Sequence, residues 1–312
     1  MKVSVVVRSS GPGSSRLASL VIAALAIFVS ACGGDNDNNT VAPQPIAVLS
    51  AFPAEMAAVL ARATVADTMT IDDHVFRRGT LGGVRVVIGI TGIGLVNAAA
   101  TTRLVLDQFA PRGVVVSAVA GSSLQIGDVT VPAAWELKDG TTFAADAKWL
   151  DLAHTVAAAV SLERCTTVSS AGAQQSVCMV DQPTVLVGGI GQSTDPFVGR
   201  PFPCQPGGGD LYGCDIPPAN GAASAEALAS SAAAEPDTPV ANDMETAAIA
   251  REAAARGVRF IAFRAVSDGA GDPLGLPGFL AQFSAYYHFA ARNAAAATVA
   301  FLERLASTPA AR

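Results

Sequence analysis

Charge is scarce in this chain, and it never gathers by sign. Only 15% of the 312 residues are Asp, Glu, Lys or Arg, the formal net charge is −6, and no Lys/Arg cluster appears anywhere. An acidic chain without a basic patch repels a phosphate backbone, which sets nucleic acid aside as a partner. Aromatic residues are also few, at 6%, yet 51% of the residues are hydrophobic. That balance argues against disorder and suits close-packed layers around a sizeable core. The three histidines, His74, His154 and His288, are isolated, and the five cysteines form no C-x-x-C pair. Metal-ligand spacing is missing, so no metal is expected. The apolar run near the amino terminus, Leu17–Val29, has 13 residues, fewer than the ~20 that a membrane span needs.

That run belongs to an address rather than to a fold. Lys2, Arg8 and Arg16 precede it, no acid occurs before it, and it ends in Val29-Ser30-Ala31-Cys32-Gly33. Charged region, short apolar region and small residues before a cysteine resemble a bacterial lipoprotein signal over residues 1–31, with Cys32 as the lipidated residue. Residues 32–45, rich in Asp, Asn and Pro, read as a solvated tether. The expected location is the cell envelope, facing the periplasm; Gly33 after the cysteine leans towards the outer membrane. Without Cys32, four cysteines remain: Cys165, Cys178, Cys204 and Cys214. Four allow three pairings, and sequence alone does not choose. Local pairing, 165 with 178 and 204 with 214, is the expectation, because each pair brackets a short Gly/Ser/Pro-containing loop.

From residue 46 onward, apolar runs alternate with helical patterns. Ile46–Ser50 reads as a buried strand, and Pro53 starts a helix through Leu60. His74–Thr80 and Val84–Ile90 read as paired strands about a Gly82-Gly83 turn. A helix is expected over Ala98–Phe109, a buried β-branched strand over Val114–Val119, a turn at 120–123 and a strand over Gln125–Val131. Helical spacing follows at Trp149–Val160, then a strand at Thr184–Ile190. Residues 191–240 form a long irregular segment with an insertion at about 199–240. A helix is expected over Asp243–Ala255, capped by Asn242 or Asp243, a strand over Phe260–Val266, a loop at 267–273 and a helix from about Pro277 to Leu305. The fold class is α/β: one domain over 46–312, three layers, with a central mixed, mostly parallel sheet.

In such sheets ligands bind beyond the carboxyl ends of the strands. Glu55, the loop 91–97, the loop 120–123 and Asp268 fall there, and Glu245 lies at a helix start. Each alone is an ordinary helix-start acid or turn residue. The GIGLVN stretch is a partial dinucleotide fingerprint with Asn97 in the sixth place, and reads equally as a tight strand-to-helix turn.

Taken in order, five segments carry a resemblance: IAVLSAFPAEM, TGIGLVNAAATT, VVVSAVAGSSLQIGDVTVP, NDMETAAIA and FIAFRAVSDGAGD. From Ile46 to about Leu305 the chain resembles the nucleoside phosphorylase superfamily, most closely the 5′-methylthioadenosine/S-adenosylhomocysteine nucleosidases. The resemblance implies a purine nucleoside substrate, no cofactor and a homodimer. It makes Glu55 the acid that activates water, Glu245 the clamp on the ribose hydroxyls, and Asp268 the acid at purine N7. Met244 would pack against the sugar, Phe197 would stack on the base, and Val198 would offer it backbone hydrogen bonds, although Ser193–Phe197 departs from the family's "SGDxF". Ala120, Gly121 and Ser267, in the matching segments, join the substrate-binding set. Phe52 and the 274–283 region would line a pocket for the 5′ group, or serve as core or oligomer contacts.

The residue types suit the chemistry. A purine leaves only when N7 is protonated or strongly hydrogen-bonded, so Asp268 needs a raised pKa. Water attacking from the opposite face needs a base. Phosphorolysis would need a cationic pocket, yet Ser50–Glu55 and Val116–Ser123 hold no Arg or Lys. Hydrolysis is therefore expected, with a phosphorylase or a non-catalytic, lipid-anchored nucleoside-binding protein as alternatives. Arg264 reads as structural.

Overall fold

The computed structural model describes residues 44–170, 173–217 and 239–308. The signal segment, Cys32, most of the tether and much of the 199–240 insertion lie outside them. In chain order the elements are β1 (Ile46–Ser50), α1 (Pro53–Leu60), β2 (Thr64–Ile71), β3 (His74–Leu81), β4 (Val84–Ile90), α2 (Leu95–Phe109) and β5 (Gly113–Gln125). Then come β6 (Val129–Val131), β7 (Ala134–Leu137), β8 (Thr142–Ala144), α3 (Ala147–Ala157), β9 (Cys165–Ser170) and β10 (Ala173–Cys178). β11 (Val185–Val187), β12 (Ile190–Ser193), α4 (Gly209–Tyr212), β13 (Ala241–Asp243), α5 (Thr246–Ala255), β14 (Arg259–Ala270) and α6 (Gly278–Ser307) complete the chain.

Alternation along the strands builds the three layers. Ile46 and Val48 enter one buried cluster, with Val86, Val115, Ile261, Phe263 and Phe301; Ala47 and Leu49 enter the other, with Val87, Val114, Val116 and Ala262. Side chains of successive strand residues point to opposite faces, so these strands are covered on both sides. α1, α3 and α6 cover one face, and α2 and α5 pack together on the other. Each fully buried side chain of the Phe263 or Leu49 type contributes about 1.5–3 kcal/mol by leaving water.

The sheet runs β2-β3-β4-β1-β5-β13-β12-β7-β8, with β14 beside β5 and β6. β1 pairs in parallel with β4 and β5, and β5 with β14, so these strands end on the same side. The hairpins β2–β3–β4 and β7–β8 are antiparallel additions. The cysteines pair locally, Cys165–Cys178 across the β9–β10 hairpin and Cys204–Cys214 around α4.

Several boundaries differ from expectation. α2 begins at Leu95, because Gly94 (φ 97°) turns the chain early and its carbonyl accepts Ala98 N–H. Residues 120–123 are not a turn: they continue β5, and the reversal comes at 126–128, where Gly127 (φ 93°) and the Asp128 carboxylate, accepting Gln125 N–H, shape it. The expected 184–190 strand splits at Gly188-Gly189, both at positive φ. Ala241–Asp243 pairs as a strand, so α5 starts at Thr246, yet Asp243 still accepts the N–H groups of Glu245 and Thr246. β14 continues into the first part of the expected 267–273 loop, as far as Ala270, with register shifts on either side of Asp268.

Candidate active site

The carboxyl ends of β1, β5 and β14 open into one cavity lined by Glu55, Glu245 and Asp268 together with Asp243 and Arg264. It encloses about 690 Å³ of space, part of it open to solvent.

Glu55 sits in the first turn of α1, behind Pro53, and is 1% exposed. Oε2 accepts the N–H groups of Ala51 at 2.6 Å and Phe52 at 3.3 Å, the reach-back half of a capping box. Oε1 accepts Val119 N–H of β5 at 2.8 Å. Burial pushes its pKa up to about 8, and the nearby Glu245 charge pushes the same way; Arg264 and the N–H donors pull against them. A carboxyl held there can trade a proton near neutral pH.

Glu245 is fixed from two sides. Gly94 N–H donates to Oε1 at 2.9 Å, and Arg264 Nη2 lies 3.4 Å from Oε2. Arg264, 1% exposed, also pairs with Asp243 Oδ2 at 2.6 Å and donates to Val119 O at 2.8 Å and to Thr246 Oγ1 at 2.9 Å from Nε. The hydroxyls of Ser193 and Thr246 donate to Asp243. The guanidinium is thus spent on groups of the protein. Burial pushes Glu245 up to about 7, against Arg264, while Asp243 pushes it further up. The structure gives Arg264 a positioning role across β5, β13 and α5 that composition and spacing do not reveal.

Asp268 owes its place to the irregular end of β14. Val266 pairs with Ala120 and Asp268 with Gly121, so Ser267 is an extra residue, a bulge that bends the strand at the cavity. Ser267 Oγ donates to Asp268 Oδ1 at 2.7 Å. Burial raises the Asp268 pKa to about 6, and that bond lowers it.

Ala120, Gly121, Met244 and Ser267 line the cavity with the acids. Phe52, Leu211, Tyr212, Phe279, Leu280 and Phe283 form its apolar part. Leu274, at the start of the expected 5′ region, packs instead beside the cluster of Val266, Tyr286 and Phe289. Phe197 and Val198 do not line the cavity. Asp195 accepts the N–H groups of Phe197 and Gly199 at 3.0 and 2.5 Å, and this tight turn leaves Val198 left-handed (φ 54°) and 84% exposed. Phe197 instead lies over Gly94 and stacks on Phe202 at 4.9 Å. The 91–97 loop is a tight turn whose Asn97 donates to Ile93 O and Phe202 O. The sequence carries one signal for Leu211 and Tyr212, the cysteine bracket around them. Among the described residues, no cluster of three or more His, Cys, Asp or Glu could hold a metal ion.

A family model described as the Phosphorylase superfamily matches residues 45–305. Over 221 residues, 62% of this chain and 86% of the relative, the chain is 36% identical to an uncharacterized protein of Mycobacterium tuberculosis. Over 89 residues, 28% of this chain and 38% of the relative, it is 37% identical to the 5′-methylthioadenosine/S-adenosylhomocysteine nucleosidase of Shewanella oneidensis. Among solved structures, the corresponding nucleosidase of Neisseria meningitidis, in complex with methylthio-immucillin-A, aligns over 83% of this chain and 99% of its own, with TM-score 0.57 and 21% identity. Futalosine hydrolase of Helicobacter pylori aligns over 83% and 97%, with TM-score 0.56 and 18% identity. At those identities the structural matches speak for the fold.

Proposed function

Because this chain belongs to the phosphorylase superfamily, we propose that its cavity hydrolyses the N-glycosidic bond of a purine nucleoside. The observation that carries this reading is the convergence of Glu55, Glu245 and Asp268, all with raised pKa values, on one cavity. Breaking the bond leaves positive charge on the sugar and negative charge on the purine. The carboxylates of the site favour the first, and the proton of Asp268 offsets the second.

Glu245, held by Gly94 and Arg264, clamps the ribose hydroxyls and fixes the ring. Water held by Glu55 attacks C1′, and its proton passes to the Glu55 carboxylate. The C1′–N9 electron pair leaves with the purine, whose N7 takes the proton of Asp268. General acid–base help of this kind is worth about 10²–10⁴-fold. Among the described residues lining the cavity, Arg264 is the only Lys, Arg or His, and Asp243, Glu245, Thr246 and Val119 O already engage it. Phosphate finds no unspent cation there, which favours water as the nucleophile.

Purified protein with adenosine, inosine or 5′-methylthioadenosine tests this. Free base released without phosphate is expected. Release only with phosphate would make it a phosphorylase, and binding without release would make it a binding protein; either overturns hydrolysis.

The amino-terminal signal adds a second proposal, export and anchoring through lipid on Cys32. A Cys32→Ala chain should then leave the membrane fraction; if it stays there, the cysteine is not the anchor.

A further inference from the structure

Cys204 and Cys214 close a ring around α4. Two ties fasten this ring to the fold. Asp210 Oδ2 accepts from Tyr287 Oη at 3.0 Å and pairs with His288 Nε2 at 2.6 Å, both on α6. Just past the ring, Asp215 meets Arg77 of β3 at 2.8 Å. The residues between the ties, Leu211 and Tyr212, line the cavity, and Leu211 is buried. α4 also packs against α1, the helix that carries Glu55.

A chain of aromatic contacts joins the ring to the Glu245 side of the cavity. Tyr212 lies 6.1 Å from Phe202, which stacks on Phe197, and Phe197 covers the Gly94 whose N–H holds Glu245. Phe52, on the same cavity wall as Glu55, contacts Phe283 and Tyr287 edge-on at 6.2 and 6.1 Å. A sugar clamped by Glu245 would therefore extend its 5′ carbon among Leu211, Tyr212 and these rings. A helix of one turn does not hold itself in water; a covalent ring removes most of the loop's alternatives.

We propose that Leu211 and Tyr212 are specificity residues: within one chain, they form the wall against which the substituent on the 5′ carbon packs. The Cys204–Cys214 bond positions that wall, and the wall selects an apolar substituent over a hydroxyl. This rests on the nucleosidase reading above.

The test compares kcat/KM for 5′-methylthioadenosine with kcat/KM for adenosine, in the full-length protein. Leu211→Ala and the pair Cys204→Ser/Cys214→Ser should each lower that ratio tenfold or more, mainly through KM, since one or two lost methylene contacts are worth that much. Reductant should lower the ratio in the parent and leave the Cys204→Ser/Cys214→Ser protein unmoved. Asp210→Asn keeps the ring and loosens its tie to α6; it should lower the ratio by a smaller factor, and it serves if the cysteine variant does not fold. Ratios equal to the parent's in folded Leu211→Ala and Asp210→Asn proteins overturn the proposal. A parent that releases no base from either nucleoside overturns the hydrolase reading instead.

Discussion

Asp268 and Gly121 face each other across β14 and β5 so closely that a side-chain carbon on residue 121 would lie 2.6 Å from Asp268 Oδ2. The acid occupies space that only glycine leaves open. Gly121→Ala should push the carboxylate aside without disturbing the core strands. A displacement of about 1 Å in a positioned group can reduce rate about 10²-fold, so kcat should fall by about that factor with the fold retained. An alanine variant with parental kcat and an unchanged Asp268 position would sink this account.

The pH profile follows from the two raised acids that exchange protons with the reactants, Asp268 at about 6 and Glu55 at about 8. Cleavage needs a proton on Asp268 and none on Glu55. Below about 6, Asp268 is already protonated, while the ionised share of Glu55 drops about tenfold per pH unit. Above about 8, Glu55 is ionised, and the protonated share of Asp268 drops equally. Between them the changes offset. kcat/KM should therefore be bell-shaped, highest near pH 7, and steady-state assays across that range check it; a profile without both limbs contradicts the assignment.

Asp268 also links stability to pH. Its folded value lies above the ordinary 3.8, so the native state holds a proton that the unfolded chain has released. That contribution is fully present below about 4 and is lost as pH rises through about 6. Asp268→Asn has no such proton to lose. At pH 7.5 it should unfold at higher denaturant than the parent, by about 1–3 kcal/mol at most, while kcat falls about 10²–10⁴-fold. Full activity in this variant would refute the proton-donor role.

Arg264 holds Asp243 and Glu245 in the interior. Arg264→Met would leave two buried carboxylates without their cation, which typically costs about 3–5 kcal/mol. Arg264→Lys keeps the charge but cannot reproduce the contacts of Nε, Nη1 and Nη2, so it should fold better and still bind nucleoside poorly. Denaturation curves and KM values for both variants decide; a Met variant as stable as the parent would show that the pairs matter little.

Local pattern made much of this legible. The apolar run Ile46–Ser50 followed by Pro53 and Glu55 announces strand, turn and helix start, because each feature acts within a few residues. The hairpin about Gly82-Gly83 is legible for the same reason. Ala120–Ser123 misled, since small residues look like a turn until β14, about 140 residues later in the chain, supplies their hydrogen-bonding partner. Phe197 misled because Asp195 captures the backbone of its turn and leaves the ring over Gly94.

Composition and apolar periodicity determined an α/β chain, and the order of its motifs, through the family they resemble, marked Glu55, Glu245 and Asp268. These depend on neighbours in the chain and on the faces that strands and helices must bury. Only the tertiary structure decided that Arg264 is committed to Asp243 and Glu245, that a bulge sets Asp268 against Gly121, and that the Cys204–Cys214 ring walls the cavity. Each of these joins residues far apart in sequence, and their contact energies exist only once the sheet has brought them together.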